Sequence, residues 1–168
     1  MIWTGLYWVD GPWPGKLAMA ARPQGGKWLR NELANWRREG VHTVLSLLTP
    51  EDQRVLDLVH EGREVEANGM EFWSFPIRDH DVPHSNVQLA KVLEALDKEL
   101  ESGNNVVLHC FAGIGRSGLV AACLLVTKGL DSKTAMKRVS DARGIQLPET
   151  AEQRRWIDHF AAVFANLK

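Results

Sequence analysis

Cys110 and Arg116 frame the run His109-Cys110-Phe111-Ala112-Gly113-Ile114-Gly115-Arg116-Ser117-Gly118. A thiol and a guanidinium held close together suit nucleophilic attack on a phosphate ester. The thiolate supplies the electron pair, and the guanidinium offers a planar, permanently charged fork that matches two phosphate oxygens. The spacing alone is weak. Two cysteines and twelve arginines in 168 residues would give such a pair by chance in about one chain in seven. The context sharpens it: an apolar run leads into the Cys, Gly113 and Gly115 punctuate the loop, and a helical pattern begins at the Arg116-Ser117 step. Glycine lets successive N–H groups converge on one anion, and a helix start adds its positive end. The expected phosphate-binding set is therefore the backbone of Phe111, Ala112, Gly113, Ile114, Gly115 and Arg116, with the Arg116 side chain. Such a loop also favours the thiolate of Cys110. The Ser117 hydroxyl can donate to the sulfur and ease its departure. The competing reading is an inert buried Cys before a glycine-rich turn.

Thiolate attack on a phosphate ester also needs a proton for the departing oxygen. Two acids, Asp79 and Asp81, sit in Pro76-Ile77-Arg78-Asp79-His80-Asp81-Val82-Pro83, between a strand pattern and a capped helix. From the residues alone both stay open. His80 and His84 with these acids can be read as metal ligands, but no second ligand set stands out, and no metal or other cofactor is expected. His109 is a further candidate, oriented by loop backbone and tuning the thiolate, or purely structural. Arg143 is a candidate brace of the loop region. Cys123 lies on an apolar helix and reads as core rather than as a redox partner.

These residues need a scaffold that brings strand ends together. Trp28, Leu29, Leu33 and Trp36 recur at helical spacing and stop at Gly40. Val41–Leu48, Met70–Phe75 and Asn105–His109 read as buried strands, and the Gly/Pro-rich first 25 residues as a short strand pair. Pro50–Asn68 reads as one helix. Ser85-x-x-Gln88 opens another, with Val87, Ala90, Leu93, Leu96 and Leu100 as its apolar face and Gly103 as its end. Leu119–Thr127 is an apolar helix, Asp131 caps the next, and Thr150-x-x-Gln153 caps the last. Strands alternating with helices predict an α/β fold: a central, mostly parallel sheet flanked by helices, with the Cys110 loop between a strand and a helix. Ligands bind such sheets beyond the carboxyl ends of the strands, where this loop falls.

The length suits a single domain over residues 1–168. A net charge of -1 gives no basic surplus for nucleic acid or anionic lipid. The start of the chain lacks the basic leader and apolar run of a signal peptide, and no stretch is apolar for long enough to span a membrane. Two cysteines form no disulfide framework and fit a reducing, cytoplasmic setting. The seven tryptophans carry no functional weight.

The run His109–Gly118 resembles the HCxxGxxR[ST]G signature of the protein-tyrosine and dual-specificity phosphatases. Further segments, "LAMAARPQGGKW", "FPIRDHDVP", "GLVAACLLV" and "ARGIQLPETAEQ", are similar in the same order to the group around the kinase-associated phosphatase. The resemblance covers nearly the whole chain. It implies one α/β phosphatase domain and metal-free hydrolysis through a cysteinyl-phosphate. It implies Asp79 as general acid from the Pro-x-x-Asp pattern, with Asp81 as rival. Gln153 matches a glutamine that some relatives hold near the attacking water, although its capping position explains it as well. The expected substrate is a phosphoprotein or phosphopeptide, phosphotyrosine first, then phosphoserine or phosphothreonine. No nucleic-acid or membrane partner is expected, and a monomer is plausible. A rhodanese-like sulfurtransferase and a phosphate-binding pseudophosphatase are the alternatives.

Overall fold

The computed structural model describes residues 4–166. The reading of the first three residues as part of a leaderless start lies outside them. A five-stranded sheet runs in the order β1-β2-β5-β3-β4. Its strands are β1 (Tyr7–Val9), β2 (Leu17–Ala20), β3 (Thr43–Ser46), β4 (Glu71–Ser74) and β5 (Val106–His109). Only β1 pairs antiparallel, with β2. β5 lies between β2 and β3, parallel to both. The α/β expectation holds, including the early strand pair.

β5 is buried at every position, and its alternation sorts two cores. Val106 and Leu108 join Leu17, Met19 and Leu45 beneath α4 (Asn86–Glu101), α5 (Gly115–Thr127), α6 (Ser132–Arg143) and α7 (Ala151–Asn166). Val107 joins Ala18, Ala20 and Val44 against α1 (Leu29–Arg38) and α3 (Glu61–Ala67). By the same parity His109 faces the α1/α3 side. Its ring lies 6.0 Å from that of Trp36.

The helix caps follow the sequence. Ser85 accepts from Gln88 N, and Asp131 from Thr134 N. Thr150 and Gln153 cap each other's amides at 3.0 and 3.3 Å. Two readings are corrected. The buried face of α4 is Leu89, Leu93, Leu96 and Leu100. Val87 and Ala90 point to solvent, because α4 packs against the sheet on the stripe one step round from the one that they mark. The segment 50–68 is two helices, α2 (Pro50–Val55) and α3. Asp57 takes a left-handed turn (φ 55°) between them, and Leu58 is driven fully into the α1/α3 core. No helix among the described residues is long and apolar enough to cross a membrane.

Because β5 feeds the Cys110 loop from the middle of the sheet, its packing should be felt globally. Leu108→Ala removes a fully buried side chain and should lower stability by roughly 2–5 kcal/mol. Urea unfolding should show an earlier midpoint with an unchanged slope.

Candidate active site

β5 ends at His109 and the loop 110–114 leads into α5, so Cys110, Arg116 and Ser117 gather at the carboxyl end of the central strand. Gly113 shows why this loop needs glycine. Its φ is +71°, and a Cβ there would lie 2.5–2.7 Å from the Ala20 and Ala21 backbone. The loop is pressed against the end of β2. Two arginines hold its carbonyls from outside. Phe111 O accepts from Arg22 N (3.3 Å) and Arg22 Nη1 (3.4 Å), and Ala112 O accepts from Arg143 Nη2 (3.4 Å). Each guanidinium also lies over an aromatic ring, Arg22 over Phe111 and Arg143 over Tyr7. In a planar trans peptide, carbonyls fixed on one side turn the following N–H groups to the other. Arg143 thus takes the bracing position expected of it.

Cys110 is 2% exposed and Arg116 1%. The guanidinium is divided in its duties. Nη1 donates to Ile77 O (2.7 Å), to Asp52 Oδ2 (2.8 Å) and, more loosely, to Leu47 O (3.4 Å). Nε and Nη2 are buried with no hydrogen-bond partner among the described residues. Nη2 lies at ion-pair distance, 3.2 Å, from Asp79 Oδ1, without hydrogen-bond alignment. Two donors on one edge of a buried, fixed guanidinium match two oxygens of a tetrahedral oxyanion. Ser117 Oγ is buried and likewise without a partner among the described residues.

Asp52 escapes sequence reading as a site residue. It sits at the third position of α2, where it closes a capping box with Thr49 while holding Arg116. Partial burial pushes its carboxyl up. The Arg116 hydrogen bond, the Thr49 amide and the guanidinium charge outweigh this and hold it below the usual carboxylate range. The signal was present in Thr49-Pro50-Glu51-Asp52, a capping box with proline at the first helical position.

Asp79 and Asp81 are separated by their contacts. Each accepts from the next residue's amide through Oδ1, Asp79 from His80 (3.1 Å) and Asp81 from Val82 (2.8 Å), but the 45% exposed Asp79 also turns Oδ1 toward Arg116. Gln153, fully buried at the start of α7, donates from Nε2 to Asp81 O (3.0 Å). A Cβ on Gly115 would touch its amide, so Gln153 bridges the acid loop and the phosphate loop. His84 lies outside the one close group of ligand-type side chains found among the described residues. Instead His80, left-handed at φ 61°, reaches Glu149 through Nδ1 (3.1 Å) and Asp79 through Nε2 (3.6 Å). Asp79, His80 and Glu149, all exposed, bring ligand atoms within 4.8 Å of one another. Among the described residues they are the ones with metal-ligand spacing, and both imidazole nitrogens are already turned to carboxylates. Cys123 is fully buried in α5, and burial pushes its thiol well up. It is a core residue. His109 is held not by loop backbone but by a side chain: Nε2 lies 2.5 Å from Glu61 Oε1 on α3.

Residues 18–130 match the family described as "Polymorphic toxin system, DSP-PTPase phosphatase". The chain belongs to that family. Cyclin-dependent kinase inhibitor 3 of Sus scrofa is 30% identical over 108 residues, covering 63% of this chain and 48% of the relative. The Arabidopsis thaliana phosphatidylinositol 3,4,5-trisphosphate 3-phosphatase and protein-tyrosine-phosphatase PTEN1 is 27% identical over 129 residues, covering 72% and 30%. The chain thus spans about half or less of these curated relatives. Among solved structures, kinase-associated phosphatase with its catalytic-site cysteine replaced by serine superposes at a TM-score of 0.90, with 19% identity and 98% of each chain covered. Tk-PTP in its active form superposes at 0.78, with 26% identity, over 96% of this chain and 99% of that one. This member of the family therefore has the kinase-associated phosphatase fold, as its sequence implied.

The Asp52–Arg116 contact should be measurable through pH. A depressed carboxyl stabilises the fold above its unfolded value, about 3.9, and loses that contribution as pH falls through the folded value. Asp52→Asn should therefore be less stable than the parent at pH 7, with the gap closing below about pH 4. Thermal unfolding across pH 3–8 checks this; a gap that widens in acid would contradict it.

Proposed function

We propose that this chain hydrolyses phosphate monoesters of proteins, phosphotyrosine first and phosphoserine or phosphothreonine second, through a cysteinyl-phosphate. The observation that carries the reading is the Arg116 guanidinium: Nη1 is locked by Asp52 and the Leu47 and Ile77 carbonyls, while Nε and Nη2 are buried without a hydrogen bond among the described residues and Nη2 faces the Asp79 carboxylate at 3.2 Å. Such a fork is prepaid in orientation and lacks only an oxyanion. Cys110 attacks phosphorus in line, and Arg116 with the amides from Phe111 to Arg116 holds the equatorial oxygens. Asp79 protonates the leaving oxygen, then as carboxylate activates water against the cysteinyl-phosphate. The Ser117 hydroxyl donates a hydrogen bond to the departing thiolate and keeps its proton, and Gln153, between the two loops, orients the water. Asp81 is left as a loop-shaping residue.

The single continuous sheet supports reading residues 1–168 as one domain. The matched family and the solved structures above are phosphatases, so a sulfurtransferase and a non-catalytic phosphate binder gain no support. A phosphoprotein in the cytoplasm remains the proposed substrate and setting, with no metal required.

Two tests follow from these roles. Phosphotyrosyl-peptide turnover should persist in EDTA and vanish in Cys110→Ser, whose hydroxyl stays protonated near neutrality. Full activity of that variant, or a requirement for added divalent metal, would end the mechanism. Asp79→Asn should lower turnover of a tyrosyl phosphate by roughly 10²–10⁴ and flatten the basic limb of the pH–rate profile. An aryl phosphate with an acidic phenol should suffer far less, since its anion leaves unaided. Asp81→Asn should preserve both features; the reverse pattern would make Asp81 the acid.

A further inference from the structure

The break between α2 and α3 brings two acids to the same loop. In an unbroken helix Asp52 and Glu61, nine positions apart, would stand about 13 Å apart along the axis and half a turn round from each other. Bent at Asp57, the chain instead sets Asp52 on Arg116 and Glu61, in the first turn of α3, on His109. His109 and Arg116 lie either side of Cys110, so both approaches to the loop end on a carboxylate.

The His109–Glu61 contact is the more deeply placed of the two. Both side chains are fully buried, with Nε2 and Oε1 2.5 Å apart. The Trp36 ring packs beside the imidazole. His109 Nδ1 and Glu61 Oε2 have no hydrogen-bond partner among the described residues. Each group therefore depends on the other, because a buried carboxylate or ring nitrogen without a partner is costly. An imidazole's tautomer and ring angle are set by the bond that one of its nitrogens makes. His109 ends β5 and is joined by one peptide bond to Cys110, so its anchoring fixes where the loop begins.

We infer that Glu61 is a positioning residue for the reaction: it accepts a hydrogen bond from His109 Nε2–H, fixes the ring, and so holds the peptide that aims Cys110. The inference rests on the phosphatase reading. It also separates the loop's two acids by task. Asp52 orients the group that binds phosphate, and Glu61 the residue that precedes the group that attacks it.

Glu61→Gln keeps the size of the side chain and removes its charge. It should lower kcat on a phosphotyrosyl peptide by roughly 10–100-fold, by analogy with the loss of the carboxylate that orients a metal-ligating histidine. KM and competitive inhibition by inorganic phosphate should move by less than about threefold, since Arg116 and the amides still hold the oxygens. Combined with His109→Asn, the substitution should add no further loss, as required of residues acting through one another. Additive losses, or a lowered Tm with unchanged kcat, would overturn the inference. A second readout needs no activity. Nitrogen-15 spectra of the wild-type histidines should show His109 with a slowly exchanging proton on Nε2, and a ring without that proton would overturn the assignment. Should Glu61→Gln fail to fold, this wild-type spectrum and the milder Glu61→Asp, with its kcat between those of the wild type and His109→Asn, decide the matter. An inactive wild-type chain would overturn the phosphatase reading and the catalytic consequence together, whereas an active one with additive losses overturns the positioning role alone.

Discussion

The site depends on one buried guanidinium. Arg116 carries a full charge at 1% exposure, which the fold tolerates because Asp52, Ile77 and Leu47 converge on Nη1 and the Asp79 carboxylate stands beside Nη2. Those three partners come from α2 and from the chain just beyond β3 and β4. The parallel arrangement of β3, β4 and β5 puts their carboxyl ends at one edge, so a single side chain at the start of α5 can tie them together. The sheet order, the capping box at Thr49 and the start of α5 are thus parts of one constraint: to keep a cation in place with one edge of its fork free of hydrogen bonds among the described residues.

The alternation of β5 divides the chemistry between the two layers of the protein. Leu108 sinks toward α4 and α5, while Val107 and His109 turn toward α1 and α3. The chain then leaves the strand at Cys110 with its neighbours pinned on opposite sides. Gly113 allows the loop to bend back against Ala20 and Ala21. Arg22 and Arg143 take up the carbonyls that this bend presents outward. Much of the order in the loop is therefore supplied by groups outside it.

The acid loop is fastened more lightly. Asp79 faces Arg116, His80 leans on Glu149, and Asp81 O is held by Gln153. The His80–Glu149 contact is largely exposed and salt-sensitive, and such pairs add little stability, whereas in the first contact the carboxylate is half-exposed and the guanidinium buried. The buried Gln153 amide is the firmer tie. The proton donor proposed at Asp79 would need this balance, with its approach set and its side chain left in contact with water.

The sequence by itself determined the α/β class, the strand-loop-helix carrying Cys110 and Arg116, the caps at Ser85, Asp131 and Thr150, and the burial of Cys123. Those features are local: a β-branched run, glycines at fixed offsets, a capping residue and an apolar stripe are each contained in a few consecutive residues. Tertiary structure alone decided which of two neighbouring acids faces the guanidinium, because Asp79 and Asp81 differ in long-range contacts and not in type. It also decided that Asp52 contacts Arg116 and Glu61 contacts His109. Both lie more than forty residues before their partners, in a segment whose helical pattern conceals a break. Leu58 turns into the core at that break, and the turn redirects the two acids. Periodicity reports which face of a helix is apolar, but it does not report where packing will bend the chain, and that bend is what brings carboxylates to His109 and Arg116.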